Sequence, residues 1–255
     1  MNKLGFVTSA ISNKHGRKTN QDCFDYGFIN QRGYWVVADG LGGHQGGEVA
    51  SKLAVESIVN SFKVYQEISS DAIQKYFEIA QTAILKQQKK IPALSEMRTT
   101  IVLLLADPQF AIWGYAGDTR LYHFRSGQII YQSKDHSVPQ ALANAGDINP
   151  EEIRFHEDRH RLLRALGQEH QFRPSITAEK KALQNGDAFL LCTDGFWELV
   201  LEKEMEHDLA NFPDPKRWLN KMQDRILARA LERANKQHDN YTAIAVFVKS
   251  KDNYN

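Results

Sequence analysis

The chain has 255 residues, of which 42% are hydrophobic and 25% charged, and its formal net charge is +1. This near-balance argues against a nucleic-acid-binding surface, which would show as a strong basic excess, and no apolar run approaches the ~18 residues of a membrane span. The N-terminal segment lacks the apolar core of a signal peptide. We therefore expect a cytoplasmic, monomeric protein with one domain over residues 1–255 and no nucleic-acid or membrane partner.

The first predicted elements are a hairpin followed by two helices. Cys23–Ile29 and Tyr34–Asp39 are short aromatic and β-branched runs, which indicates two paired strands. A turn centred on residues 31–32 would place residues whose numbers add to about 63 opposite each other. Apolar positions at helical spacing then predict helices over Gly47–Tyr65 and Ser69–Ile91.

The middle of the chain predicts an antiparallel meander and then a polar segment. Residues 99–132 contain four apolar runs separated by Asp-Pro and Ser-Gly turns. Residues 136–171 are polar, rich in His and Arg and poorly periodic, so we expect a variable flap with a short helix near Val138–Ala145. Strands resume at residues 175–183 and 187–193.

The C-terminal part predicts a long helix over Pro215–Ala234 and a strong strand over Tyr241–Val248. Runs of strands interleaved with helix pairs, without βαβ alternation, favour antiparallel sheets with helices packed outside them. The residues alone therefore predict an α+β fold.

Five acids lie where predicted strands begin or end. Asp22 enters the first hairpin strand and Asp39 leaves the second, so antiparallel pairing would place both at one end. Asp194 and Asp239 repeat this arrangement if their strands are neighbours, and Asp118 follows another strand. Asp beside Gly most often only marks a turn, but each of these acids adjoins an apolar strand. Clustered carboxylates repel one another without a cation, and oxygen-only ligands favour Mg²⁺ or Mn²⁺ over zinc.

Residues 36–51, VVADGLGGHQGGEVAS, allow two interpretations. The glycines could form a phosphate cradle at a helix N-terminus. Alternatively, Asp39 and nearby carbonyls could hold a metal ion, with the glycines permitting close approach.

Five motifs together resemble the metal-dependent PPM/PP2C protein phosphatases, and most closely their bacterial Ser/Thr branch. The motifs are GRKTNQD, VVADGLGGHQGGEVAS, WGYAGDTRLYHFRSGQI, LLCTDGFWELV and HDNYTAIAVFV, in that order. The resemblance implies a four-layer α-β-β-α sandwich with two central antiparallel sheets flanked by helix pairs. It also implies two Mn²⁺ or Mg²⁺ ions at one end and, as in bacterial members, a third and weaker one. The glycine-rich stretch is then interpreted as part of a metal site.

By position, the resemblance assigns metal ligands to the strand-end acids. Asp39 resembles the bridging carboxylate, and Gly40 the residue that gives a backbone carbonyl to one metal. Asp194 and Asp239 resemble ligands of the other metal, and Asp118 resembles the acid that supports a third metal together with Asp194.

The same resemblance assigns the catalytic residues Arg17, Asp22 and Asp39. Arg17 matches the arginine that holds the substrate phosphate, for which a planar guanidinium is well suited. Asp22 matches an acid that acts mainly through metal-bound water. The implied activity is hydrolysis of phosphoserine and phosphothreonine on proteins by a metal-activated water, opposing a cognate bacterial Ser/Thr kinase.

Three residues depart from the family pattern or leave a role open. Gln21 stands where many members have Glu, which would weaken the support of metal-bound water. Leu41 stands where the eukaryotic branch has a histidine proposed as general acid. His44 is a candidate for that role, although a hydrogen bond near the following helix start is the plainer interpretation.

The flap leaves its own alternatives. Arg164, with Arg159 or Arg161, is a candidate for contacting the phosphoprotein substrate. A zinc site that uses His156 and His160 is conceivable, but a charged, solvated flap fits the pattern better.

Two rival functions remain beside the phosphatase. A catalytically silent binding or regulatory module would keep the fold, but retention of all the metal acids argues against it. A hydrolase acting on small phosphate esters fits the same fold, because a fold does not fix the substrate.

Overall fold

The computed structural model describes residues 4–42, 46–169, 172–232 and 238–250. The strands are β1 (Leu4–Asn13), β2 (Asp22–Ile29), β3 (Arg32–Leu41), β4 (Arg98–Thr99), β5 (Ile101–Ala106), β6 (Phe110–Ala116), β7 (Arg120–Arg125), β8 (Gln128–Gln132), β9 (Ser175–Ile176), β10 (Lys181–Ala182), β11 (Ala188–Cys192) and β12 (Tyr241–Ser250). The helices are α1 (Gly46–Tyr65), α2 (Ser70–Lys90), α3 (Val138–Ala145), α4 (Asp194–Trp197), α5 (Glu202–Asn211) and α6 (Pro215–Glu232).

Across the described ranges the strands form two antiparallel sheets. One has the order β1-β12-β11-β7-β8, and the other has the order β10-β6-β5-β3-β2, with β4 paired to β3 and β9 to β6. One hydrophobic core lies between the sheets. A second lies between α1, α2 and one sheet, and a third between α5, α6 and the other. The predicted four-layer α+β sandwich is therefore confirmed.

The continuously apolar sequence of β3 is explained by the position of the strand between two cores. Trp35 and Val37 contribute to the core between the sheets, whereas Val36 contributes to the core beneath α1. Both faces of the strand are thus covered, and the alternation of a half-exposed strand is lost.

The β2–β3 hairpin has a register slightly different from the predicted one. Asn30 and Gln31 have φ angles of 50° and 67°, which is the left-handed pair that a two-residue type I′ turn requires. The turn therefore lies one residue earlier than predicted, and Ile29 pairs with Arg32. In this register Asp22 lies directly opposite Asp39.

The other elements match the predictions from the sequence to different degrees. The short helix α3 is confirmed, with Ser137 as N-cap and Gly146 at φ 85° as C-cap. The strand predicted over residues 175–183 is instead the two short strands β9 and β10. The predicted end of α6 at Ala234 lies outside the described residues. Among the helices described, none has both the length and the apolar character needed to traverse a bilayer.

Candidate metal centre

The β2–β3 hairpin carries the first two acids of the site. Asp22 and Asp39 are cross-strand partners at the open end of the hairpin. Thr193 directly follows β11 in the other sheet. Its Oγ1 donates a hydrogen bond of 3.0 Å to Asp22 Oδ2. Asp22 Oδ1 is buried and has no hydrogen-bond partner among the described residues.

Strands β11 and β12 carry the second pair. They are antiparallel neighbours, so Asp194, just after β11, and Asp239, two residues before β12, share one end of the sheet. The backbone N–H of Thr193 donates to the carbonyl of Thr242 at 3.0 Å, which fixes this end. Asp194 Oδ1 is the second buried carboxylate oxygen that lacks a partner within the described part of the chain.

Asp118 completes the set of acids from the turn after β6, and it is 4% exposed. Trp197 Nε1 donates a hydrogen bond of 2.9 Å to the carbonyl oxygen of Asp118. The indole ring lies beneath Arg120, whose Cζ is 3.4 Å from the ring centroid. The backbone of Asp118 is thus tied to α4, the helix that begins with Asp194.

Electrostatic coupling shows that the acids form one cluster. Burial, then Asp194 and Asp239, raise the pKa of Asp22 to about 7. Burial, then the charges of Asp22 and Asp194, raise the pKa of Asp39 well above its ordinary value. Burial and Asp194 do the same to the pKa of Asp118. These shifts are the expected response of carboxylates that share a site without a cation.

The donor set fits hard divalent cations. The two unpartnered oxygens, Asp22 Oδ1 and Asp194 Oδ1, are buried, and both carboxylates interact electrostatically with the other acids. Mg²⁺ and Mn²⁺ prefer oxygen ligands, and a bound cation would both satisfy these atoms and remove the repulsion between the acids.

Two glycines allow the backbone to close around the site. A Cβ on Gly40 would lie 2.1 Å from the carbonyl oxygen of Gly47, and a Cβ on Gly195 would lie 2.0 Å from that of Asn240. These positions therefore require glycine because chain segments meet backbone to backbone. The candidate general acid His44 lies outside the described residues, as do its two neighbours.

Arg17 is brought to the same end of the sandwich. Its Nε donates to Asp239 Oδ1 at 3.0 Å and its Nη2 donates to Asp239 Oδ2 at 2.8 Å. This two-point contact raises the pKa of Arg17, and the charges of Asp194 and Asp39 add to the effect.

The flap contributes a histidine that the sequence associated only with zinc. His160 Nδ1 lies 3.6 Å from Asp194 Oδ2. Ligand atoms of His160, Asp194 and Glu198 all lie within 4.8 Å of one another. Burial and Asp194 raise the pKa of Glu198 to about 7, although Arg159 pairs with it at 3.0 Å. Sequence reasoning missed Glu198, whose only signal is its place one helical turn after Asp194.

Two other flap candidates, Arg164 and His156, make their hydrogen bonds with residues outside the set of acids. Nη1 of Arg164 donates to the carbonyl of Arg173 at 3.2 Å and lies 3.5 Å from His136 Nε2. His156 Nδ1 accepts a local hydrogen bond from the backbone of Asp158. The structure therefore does not join His156 to His160 in a zinc site.

Comparisons with known proteins agree with this geometry. The family model described as protein phosphatase 2C matches residues 11–240. The serine/threonine phosphatase stp of Listeria welshimeri is 30% identical over 217 residues, which cover 83% of this chain and 82% of that protein.

Solved structures extend the likeness to the fold. The serine/threonine phosphatase PstP/Ppp of Mycobacterium tuberculosis superposes with a TM-score of 0.81 at 26% identity, covering 96% of this chain and 99% of that one. The catalytic domain of PstP in complex with two manganese ions gives a TM-score of 0.79 at 27% identity, with the same coverage of 96% and 99%. The chain therefore belongs to the protein phosphatase 2C family.

Proposed function

We propose that the chain hydrolyses phosphoserine and phosphothreonine on proteins, with water as the nucleophile and divalent cations as cofactors. The observation that carries this proposal is the pair of buried, unpartnered oxygens Asp22 Oδ1 and Asp194 Oδ1 inside a cluster of coupled acids. The names of the relatives support the substrate class, since stp and PstP are serine/threonine phosphatases.

We assign the acids as ligands of the cations. Asp39, the carbonyl of Gly40, Asp194 and Asp239 would hold two Mn²⁺ or Mg²⁺ ions, and Asp118 would hold a third together with Asp194. When bound, two such ions would acidify a water for attack on phosphorus and would neutralise charge on the phosphoryl group.

The chain's own side chains bind and orient the reactants. The guanidinium of Arg17 offers a planar fork to two phosphate oxygens, and it already holds a carboxylate in this way. Asp22 Oδ1 is buried without a partner among the described residues and would accept a hydrogen bond from the attacking water, while Thr193 holds Oδ2 of the same carboxylate. No covalent intermediate on the enzyme is needed, so the reaction requires no nucleophilic cysteine or serine.

The proposal also covers the domain organisation, the oligomeric state, the location and the partners of the protein. We infer that residues 1–255 form one catalytic domain with a flap over 136–171, which acts as a monomer in the cytoplasm. Its partners are phosphoproteins and the Ser/Thr kinase that modifies them. Arg164 as a substrate contact and His44 as general acid stay predictions.

The first experiment is hydrolysis of p-nitrophenyl phosphate by the purified protein with Mn²⁺, with Mg²⁺ and with EDTA. We expect turnover with Mn²⁺ or Mg²⁺ and none with EDTA. Phosphothreonine peptides are then compared with sugar phosphates and nucleotides at equal concentration. A higher kcat/KM on peptides supports the protein phosphatase, whereas a preference for metabolites supports a small-ester hydrolase, and no turnover supports a silent module.

A further inference from the structure

A groove with a volume of about 250 Å³ lies beside the metal acids, between the end of β3 and the flap. Leu41 directly follows Gly40, and His160 Nδ1 lies 3.6 Å from Asp194 Oδ2, so both residues connect the groove to the acids. A peptide with its phosphate at the acids would therefore have a neighbouring side chain within reach. The residues that line the groove include Leu41, Glu96, Arg98, His160, Leu162 and Ala165.

Arg98 supplies the groove with a cation that is poorly paired. It lies opposite Leu41 in the β3–β4 pairing. Its Nη2 donates to Glu96 Oε2 at 3.2 Å, and the Glu96 side chain is 81% exposed. Arg98 Nε is buried without a hydrogen-bond partner in the described part of the chain. An exposed ion pair of this kind contributes only about 0–1 kcal/mol, so another anion can readily replace Glu96.

The walls of the groove are held in place before anything binds. The Thr99 N–H donates to the carbonyl of Leu166 at 3.1 Å, and the Leu166 N–H donates back at 2.9 Å. These two bonds join β4 to the flap, next to the groove residues Arg98 and Ala165. A site whose walls are already fixed loses less conformational entropy on binding.

We propose that this groove binds an acidic side chain of the phosphoprotein, close in sequence to the phosphorylated residue, through the guanidinium of Arg98. The proposal rests on the proposed phosphatase function and adds a substrate preference to it. A guanidinium matches two oxygens of one anion, so a carboxylate and a second phosphate are both suitable ligands. Leu41, Leu162 and Ala165 would pack against the methylene groups of the bound side chain.

The test uses phosphothreonine peptides of one length. Each peptide is varied at a single position within three residues of the phosphothreonine, on its N-terminal or its C-terminal side. Each position carries Glu, Gln, Lys or phosphoserine, and kcat/KM is measured with saturating Mn²⁺. We expect Glu or phosphoserine to exceed Gln by about 5- to 30-fold at one position or side, as one charge-assisted hydrogen-bond pair would give. The difference should appear in KM, since the contact lies away from the reacting bond. The order of Glu and phosphoserine identifies which anion is preferred.

Variants then assign the preference to Arg98. In Arg98→Gln the Glu-to-Gln ratio should fall to about one, and in Arg98→Glu the preference should move to Lys peptides, a gain that misfolding cannot produce. Glu96→Gln should increase the preference, because the competing carboxylate is removed. Arg217→Gln, which changes an exposed arginine in the first turn of α6, is the matched control and should leave the ratio unchanged. Ratios within one variant cancel any general loss of activity.

Three results would overturn the proposal. A wild-type protein that hydrolyses all the peptides equally well, or an Arg98→Gln variant that keeps the preference, would exclude the groove and leave the phosphatase function standing. A wild-type protein that hydrolyses no phosphopeptide would contradict the phosphatase function, and the groove proposal with it.

Discussion

Arg17 and Asp239 form a two-point ion pair at 2.8 and 3.0 Å, although 222 positions separate them in the sequence. The pair joins the turn region after β1 to the residue that precedes Asn240 and β12. It therefore places the proposed phosphate-binding fork directly against one of the proposed metal ligands.

We expect Arg17→Ala to lower kcat/KM for p-nitrophenyl phosphate by about 10- to 100-fold, the range that a bidentate charged hydrogen bond supplies. Arg17→Lys should recover little, because an ammonium cannot match two oxygens at once. Inhibition by inorganic phosphate, measured in parallel, should weaken by a similar factor. Unchanged phosphate inhibition in Arg17→Ala would show that another group holds the phosphate.

Replacement of Asp194 separates activity from folding. Asp194→Asn should lower turnover by at least about 100-fold, because a buried carboxylate at the centre of the cluster is lost. In EDTA its Tm should equal or exceed that of the wild type, since one of several repelling charges is gone. The increase in Tm on adding Mn²⁺ should be much smaller than in the wild type. The control is Asp224→Asn, at an exposed position of α6, which should behave as the wild type in all three measurements.

The pH dependence of the metal-free protein follows from the raised carboxyl pKa values. The pKa of Asp22 is about 7, against 3.8 ordinarily, so the folded state binds this proton when the unfolded chain has lost it. Stability from this group is therefore highest at low pH and falls as the pH rises between these two values. In EDTA we expect Tm to fall by on the order of 10 °C between pH 5 and 8. Saturating Mn²⁺ should reverse the trend, because the metal binds only the ionised carboxylates.

The matched variant for this experiment is Asp22→Asn. Its Tm should depend less on pH, and the difference from the wild type isolates Asp22. This difference also removes the opposite contribution of His136, whose pKa is lowered to about 4 by burial and Arg164 and which therefore destabilises the fold as the pH falls below 6.5. If Tm depended on pH equally in the wild type and in Asp22→Asn, Asp22 would not be the group responsible for the pH dependence.

Substitution of Gly195 tests the importance of the close backbone contact with Asn240 beside the acids. Gly195→Ala should lower the free energy of unfolding by about 3 kcal/mol, because the added Cβ would meet the Asn240 carbonyl and neither backbone can rotate away. The affinity for Mn²⁺ should fall as well, since Asp194 and Asp239 flank this contact. Gly127→Ala is the control: its φ is 77° but nothing lies within 4 Å, so it should cost only about 1 kcal/mol. Equal losses in the two variants would show that the contact has no special importance.

The acids could be predicted from sequence because their placement depends on local pairing. Any short antiparallel hairpin brings Asp22 and Asp39 to the same end, so a small error in the turn position did not matter. The same reasoning placed Asp194 with Asp239 once their strands were taken as neighbours, which the structure confirms.

Features that depend on distant partners were missed. Strand β1 was not predicted, because its pairing partners on β12 lie between 228 (Asn13 with Tyr241) and 246 (Leu4 with Ser250) positions away and its own residues are mostly only half-buried. Helix α4 has four residues, too few to show a period, so the position of Glu198 one helical turn after Asp194 could not be recognised. Arg98 likewise looks like an ordinary arginine until β4 pairs with β3.

Strand β1 pairs with β12 along its whole length, from Leu4 with Ser250 to Asn13 with Tyr241. During synthesis β1 leaves the ribosome long before β12, so it has no β12 to pair with until the chain up to Ser250 has been made. Asp239 lies two residues before this late segment, which also pairs with β11, and the acids therefore cannot assemble before β12 has been made. Under the proposed function, a nascent chain could neither bind the cations nor act on phosphoproteins until its two sheets had closed on each other.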